Sequence, residues 1–185
     1  MLSPYTKAAS ALESASYPCF IKNNCGHMPE QFRLLVVEDN DDDSALLHQA
    51  IVDSGLEIAA TFLRDAWELE DYLTSQVKRH APLPSVVLLD LNLPKRNGLE
   101  VLRWIKAHRQ LGSLLVVIWS GSLDPEDEAA SYEHGASLFI VKPVRFAQFD
   151  SVLRMICDLA VQPWTIAHGA QKMRESLLQS GTRTL

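Results

Sequence analysis

Four short apolar runs punctuate the middle of the chain, and each ends abruptly in polar chemistry. Leu34 to Val37 precedes Glu38-Asp39, Val86 to Leu89 precedes Asp90, Leu114 to Trp119 precedes Ser120, and Leu138 to Val141 precedes Lys142-Pro143. Runs of this length bounded by turn residues read as buried strands. The first strand is expected over Arg33 to Val37, and a further one over Glu57 to Leu63. Between the strands the apolar positions take helical spacing. Leu47, Ala50, Ile51 and Ser54 share a face of a helix over Asp42 to Ser54, with Gly55 as its stop. Helices are also predicted over Ala66 to Lys78, from Gly98 with Val101, Leu102 and Ile105 inward, and over Phe146 to Leu159. Another opens at Asp124-Pro125-Glu126, a cap and first-turn proline, and Gly135 closes it.

Strand and helix thus alternate five times, which predicts an α/β doubly wound parallel sheet covered on both faces. The regular pattern runs over residues 32–160. Residues 1–31 mix Ala, Ser, Pro and Asn without a period and read as a flexible tail, with Met28 as an alternative start. Residues 161–185 read as a second tail, in which Met173, Leu177 and Leu178 suit a short amphipathic helix. Trp164 and these apolar side chains suggest a homodimer surface.

Composition narrows the function. With 185 residues, 47% hydrophobic and 22% charged, the chain can bury a sizeable core. A formal charge of −6 argues against a broad nucleic-acid-binding surface. Neither a bilayer-length apolar run nor a secretory leader is visible, so no membrane and a cytoplasmic location are expected. Cys19, Cys25 and His27 would supply only three of the four ligands of a closed zinc site. Cys157, inside a helix, reads as a packing residue.

Doubly wound sheets bind ligands beyond the carboxyl ends of their strands. Glu38, Asp39 and Asp90 would converge there and repel one another, and hard oxygen ligands of this kind suit Mg²⁺. Asp90, at the end of the most central strand, is the candidate nucleophile of an aspartyl-phosphate intermediate. Lys142 would bring a point charge to a phosphoryl group and Ser120 a hydrogen bond. Gly121 would leave room for a phosphodonor. Asp41, Asp42 and Asp43 read as helix-start, solvent-facing charges without a catalytic role. His48, His80, His108 and His134 show neither metal spacing nor a nucleophile partner.

Glu38-Asp39-Asn40, then Leu89-Asp90-Leu91-Asn92-Leu93-Pro94 through Gly98, then Ser120-Gly121, then Lys142-Pro143 resemble the receiver domain of two-component response regulators. The resemblance covers about Phe32 to Leu159. It implies strand order 2-1-3-4-5, for which the chemotaxis receiver is an established example. It implies Asp90 as phosphoacceptor, and Mg²⁺ held by Asp39 and Asp90 directly, Glu38 through water and Asn92 through its carbonyl. Ser120 and Phe139 match the paired switch positions, Asn92 and Ser122 match positions that tune phosphoryl lifetime, and the Lys142-Pro143 bond is expected to be cis.

Within the family, the connection around Arg79 to Pro84, Leu88 to Lys95, and the ending with Trp164 resemble stand-alone regulators of phytochrome-type histidine kinases. The partner is then such a kinase or a phosphotransfer protein. Gly121 and Trp119 depart from the usual pattern. Two alternatives stand beside this reading. One is a flavodoxin-like cofactor-binding domain, which the acidic loop after the first strand disfavours. The other is a receiver that acts as a structural partner without being phosphorylated.

Overall fold

A computed structural model describes residues 32–161. The two tails, with Cys19, Cys25, His27 and Trp164, lie outside the described residues. The strands are β1 Phe32–Val37, β2 Ile58–Leu63, β3 Val86–Leu89, β4 Leu115–Ser120 and β5 Leu138–Val141. They form one parallel five-stranded sheet in the order β2-β1-β3-β4-β5. The helices are α1 Asp41–Ser54, α2 Ala66–Arg79, α3 Gly98–Ala107, α4 Pro125–Glu133 and α5 Phe149–Val161.

Strand residues alternate between two cores because successive side chains point to opposite faces. Leu34, Val36, Val86, Leu88, Val117 and Trp119 pack on one face with apolar residues of α1 and α5. Leu35, Val37, Val87, Leu89, Val116 and Ile118 pack on the other with α2 and α3. Burial on both faces explains why these strands read as continuous apolar runs. Trp119 belongs to the first core, 2% exposed and edge-on to Phe149.

Capping sets the helix starts. The Asn40 side chain accepts from the N–H groups of Asp42 and Asp43 at 2.8 and 3.1 Å, and Asp65 does the same for Trp67 and Glu68 at 2.9 Å. Gly55, at φ 65°, ends α1 in the left-handed conformation that glycine adopts without penalty.

Some boundaries move. The Leu114 N–H closes a turn onto the Leu111 carbonyl, so β4 starts one residue later than the apolar run. It ends one later too, because Ser120 pairs with Val141. α4 stops at Glu133 with His134 as its cap, and Gly135, at φ 91° and bonded to the Tyr132 carbonyl, closes it as expected. The stretch from Phe146 begins as a 3₁₀ turn before α5 takes over at Phe149. No peptide bond in the described residues is cis, so Lys142-Pro143 is trans, against the expectation. No described helix is long and apolar enough to cross a membrane.

Candidate functional site

The sheet order puts β1 and β3 side by side, and their carboxyl ends deliver the acidic groups. β1 and β3 are in register from Leu34↔Val86 to Val37↔Leu89, so Glu38 and Asp90 leave the sheet at the same level. Backbone bonds extend the ladder past the strands: the Asp90 N–H donates to the Val37 carbonyl at 3.0 Å, and the Glu38 N–H to the Leu63 carbonyl at 2.9 Å. Asp90 is therefore anchored although it stands outside the strand. Its Oδ1 accepts the Asn92 N–H at 2.9 Å, which folds the following loop around the carboxylate.

Glu38, Asp39 and Asp90 each offer an oxygen within 4.8 Å of the others. Glu38 and Asp90 are each 3% exposed, while Asp39 is the more open member. β5, at the far side of the sheet, sends Lys142 toward them. Its Nζ lies 2.7 Å from Glu38 Oε2, 2.7 Å from Asp90 Oδ2 and 2.7 Å from Asp43 Oδ2. The contacts to Asp43 and Asp90 are hydrogen bonds. Glu38 Oε2 is buried and meets Lys142 as an ion pair. The Asn40 N–H donates to Glu38 Oε1 at 3.3 Å.

Electrostatics follow from this crowding. Burial pushes the Glu38 carboxyl up to about 7; the Asp90 charge adds to the shift, while Lys142 and the Asn40 N–H oppose it. Burial works against the Lys142 charge, but Asp43, Asp90 and Glu38 outweigh it and hold the ammonium above its ordinary range. One ammonium against four nearby carboxylates leaves the site negative. Three convergent hard oxygen donors in a net negative site fit a small divalent cation.

The other expected residues sit around this centre without all touching it. Ser120 is fully buried, and its Oγ accepts the Ser122 N–H at 3.1 Å. Its carbonyl receives the Lys142 N–H at 2.8 Å, tying the ends of β4 and β5 together. Phe139 is half-buried against the α2–α3 core, and its N–H donates to the Tyr132 hydroxyl at 3.2 Å. The Asn92 side chain is exposed, so its link to Asp90 runs through the backbone. A Cβ built on Gly121 meets nothing within 4 Å, so space is open above the end of β4.

Asp43 corrects the sequence reading. It is not simply a solvent-facing helix-start charge, since it is one of three carboxylates that take Lys142. The available signal was its place on the first turn of α1, directly beyond Glu38-Asp39. Nothing in the run Asp41-Asp42-Asp43 separated it from its neighbours, and Asp41 instead pairs with the exposed Arg64 at 2.9 Å.

A doubly wound α/β domain with an acidic cluster and a facing lysine at its carboxyl edge defines a class of phosphoacceptor signalling module. The chain belongs to the response regulator receiver domain family, whose model matches residues 34–154. Among curated relatives, response regulator Rcp1 of Synechocystis sp. is 36% identical over 110 residues, 59% of this chain and 75% of that protein. Its Mn(2+)-bound crystal structure superposes with a TM-score of 0.58 at 30% identity, covering 72% of this chain and 94% of that one. The phosphorylated cyanobacterial phytochrome response regulator RcpA gives 0.63 at 31% identity, covering 72% and 96%. The bacteriophytochrome response regulator AtBRR gives 0.58 at 40% identity, covering 68% and 92%. The protein is a two-component signalling receiver, a phosphoacceptor rather than an enzyme for an external substrate. The flavodoxin-like alternative is set aside.

Proposed function

We propose that Asp90 is the phosphoacceptor and that a partner histidine kinase of the phytochrome type, or a phosphotransfer protein, supplies the phosphoryl group. The observation that carries this reading is the 2.7 Å contact between Lys142 Nζ and Asp90 Oδ2, beside the metal-ready oxygens of Glu38 and Asp39. An Asp90 oxygen attacks phosphorus. The P–N bond to the donor histidine breaks, and the imidazole leaves with the electron pair. Asp39, Asp90 and the Asn92 carbonyl, with Glu38 through water, would hold Mg²⁺, which would offset charge on the phosphoryl oxygens. Lys142 meets one of those oxygens as a point charge, and the open space above Gly121 admits the donor.

Ser120 and Phe139 act as the switch. The Ser120 hydroxyl leaves Ser122 for the phosphoryl group, and the Phe139 ring turns further into its core. Phosphorylation shifts a pre-existing equilibrium of the α4–β5–α5 face, read by another protein, by a second copy of the chain, or by onward transfer. The same residues assist hydrolysis of the acyl phosphate. The protein works in the cytoplasm, without a nucleic-acid ligand.

Incubation with acetyl phosphate and Mg²⁺ tests the proposal. Wild type gains the mass of one phosphoryl group and Asp90→Asn gains none. Equal gain in both, or none in either, overturns it.

A further inference from the structure

Lys142 has three ammonium protons and three carboxylates around it, from Glu38, Asp43 and Asp90. Two of these acids belong to the group that converges for a cation. Asp43 does not. It stands on the first turn of α1, where its own N–H is already capped by Asn40 at 3.1 Å. It reaches Nζ from a separate direction and across 99 residues of sequence. We propose that Asp43 is a positioning residue for phosphoryl transfer, holding the Lys142 ammonium above Asp90 so that it meets the arriving phosphoryl oxygen.

The need for such an anchor follows from the site's own charges. When Asp90 is phosphorylated, its Oδ–P bond replaces a free carboxylate, and Lys142 loses that partner. When a cation takes up Glu38, Lys142 loses a second. Asp43 alone keeps its hydrogen bond through both changes, so the lysine pivots about it instead of being released into solvent. A flexible four-carbon stem needs this restraint, because an unrestrained ammonium spends most of its time away from the oxygen it must meet. The bland reading, a helix-start acid favoured by the helix dipole, applies equally to Asp42 but accounts for no contact with Lys142.

The inference rests on Asp90 as phosphoacceptor, and the test separates the two. With acetyl phosphate as donor, an Asp90 oxygen bonds phosphorus while acetate leaves with the electron pair, and no proton is exchanged. Initial labelling rates are compared for wild type, Asp43→Asn, Asp43→Glu, Asp42→Asn, Lys142→Ala and the Asp43→Asn/Lys142→Ala double variant. Asp43→Asn slows labelling at least about fivefold, Asp43→Glu recovers part of the rate, and Asp42→Asn leaves it unchanged. In the Lys142→Ala background, Asp43→Asn changes nothing further. In metal-free protein, the slowly exchanging ammonium signal of Lys142 in a ¹H–¹⁵N spectrum broadens in Asp43→Asn and persists in Asp42→Asn.

Equal slowing by Asp43→Asn and Asp42→Asn overturns the inference. So does an undiminished effect of Asp43→Asn without Lys142, or an ammonium signal indifferent to the substitution. If Asp90→Asn labels as fast as wild type, the phosphoacceptor assignment falls first and takes the inference with it.

Discussion

Gly98 offers a quantitative check on how tightly the fold holds Asp90. A Cβ at this position would overlap the Asp90 carbonyl oxygen and come within 2.7 Å of Leu91 Cα and 3.0 Å of the Asp90 carbonyl carbon. All three are backbone atoms, and the Gly98 N–H is bound to the Leu91 carbonyl at 2.9 Å, so no flexible side chain can yield. Ordinary contact begins near 3.4 Å, so Gly98→Ala must displace the β3–α3 loop by about 1 Å to clear the Asp90 carbonyl oxygen, within the range of overpacking that costs about 1–3 kcal/mol. With a urea slope of roughly 1–3 kcal/mol per molar, the unfolding midpoint falls by on the order of 1 M. The displaced segment carries Asp90, and a misplacement of this size lowers a positioned reaction by roughly ten- to a hundredfold. Gly121→Ala is the control for stability, because its Cβ meets nothing within 4 Å. Urea unfolding followed by circular dichroism and acetyl phosphate labelling together read both effects. A Gly98→Ala protein with wild-type stability and rate would refute the claim that backbone close approach fixes Asp90.

Other outcomes follow from the same geometry. Cation binding requires Glu38 ionised, and burial raises it to about 7. Calorimetric Mg²⁺ affinity should therefore rise from pH 6 to pH 8 by up to about tenfold per unit below 7, and a flat profile contradicts this. In metal-free protein the folded Glu38 keeps its proton up to about 7, whereas a free glutamate side chain loses it near 4.5. The folded state thus binds more protons within that window, so stability falls as pH rises through it. Added Mg²⁺ should cancel the fall in the urea midpoint. Cys157 is 7% exposed, and burial pushes its thiol up to about 11, with Asp158 adding and Arg154 opposing. Iodoacetamide at pH 8, read by peptide mass spectrometry, should spare it until the domain unfolds; labelling at the unfolded rate would contradict its burial. Trp119→Ala should cost about 3–5 kcal/mol in urea unfolding through the cavity left beside Phe149.

Most of the fold was legible because the strands are buried on both faces and stand out as apolar runs. Val86 to Leu89 is the clearest, and its register with Leu34 to Val37 explains why Glu38 and Asp90 arrive at one level. Boundaries were legible only where a capping side chain marked them. The one-residue shift of β4 depends on the Leu114 turn bond and the Ser120↔Val141 pairing, which are tertiary facts. Glu38, Asp39, Asp90 and Lys142 could be named because each ends a strand at the ligand-binding edge. Asp43 could not be singled out, because three consecutive acids share one helical turn and only the reach of Lys142 across the sheet distinguishes it. The trans Lys142-Pro143 bond departs from what the family likeness implied.

The most direct measurement is chemical trapping of the acyl phosphate. Protein treated with acetyl phosphate and Mg²⁺ is reduced with borohydride, which converts a phosphorylated aspartate to homoserine, and its peptides are sequenced by mass spectrometry. The account predicts homoserine at position 90 alone. Conversion at Asp39 or Asp43, or an unaltered Asp90 in protein that has gained a phosphoryl group, would contradict it.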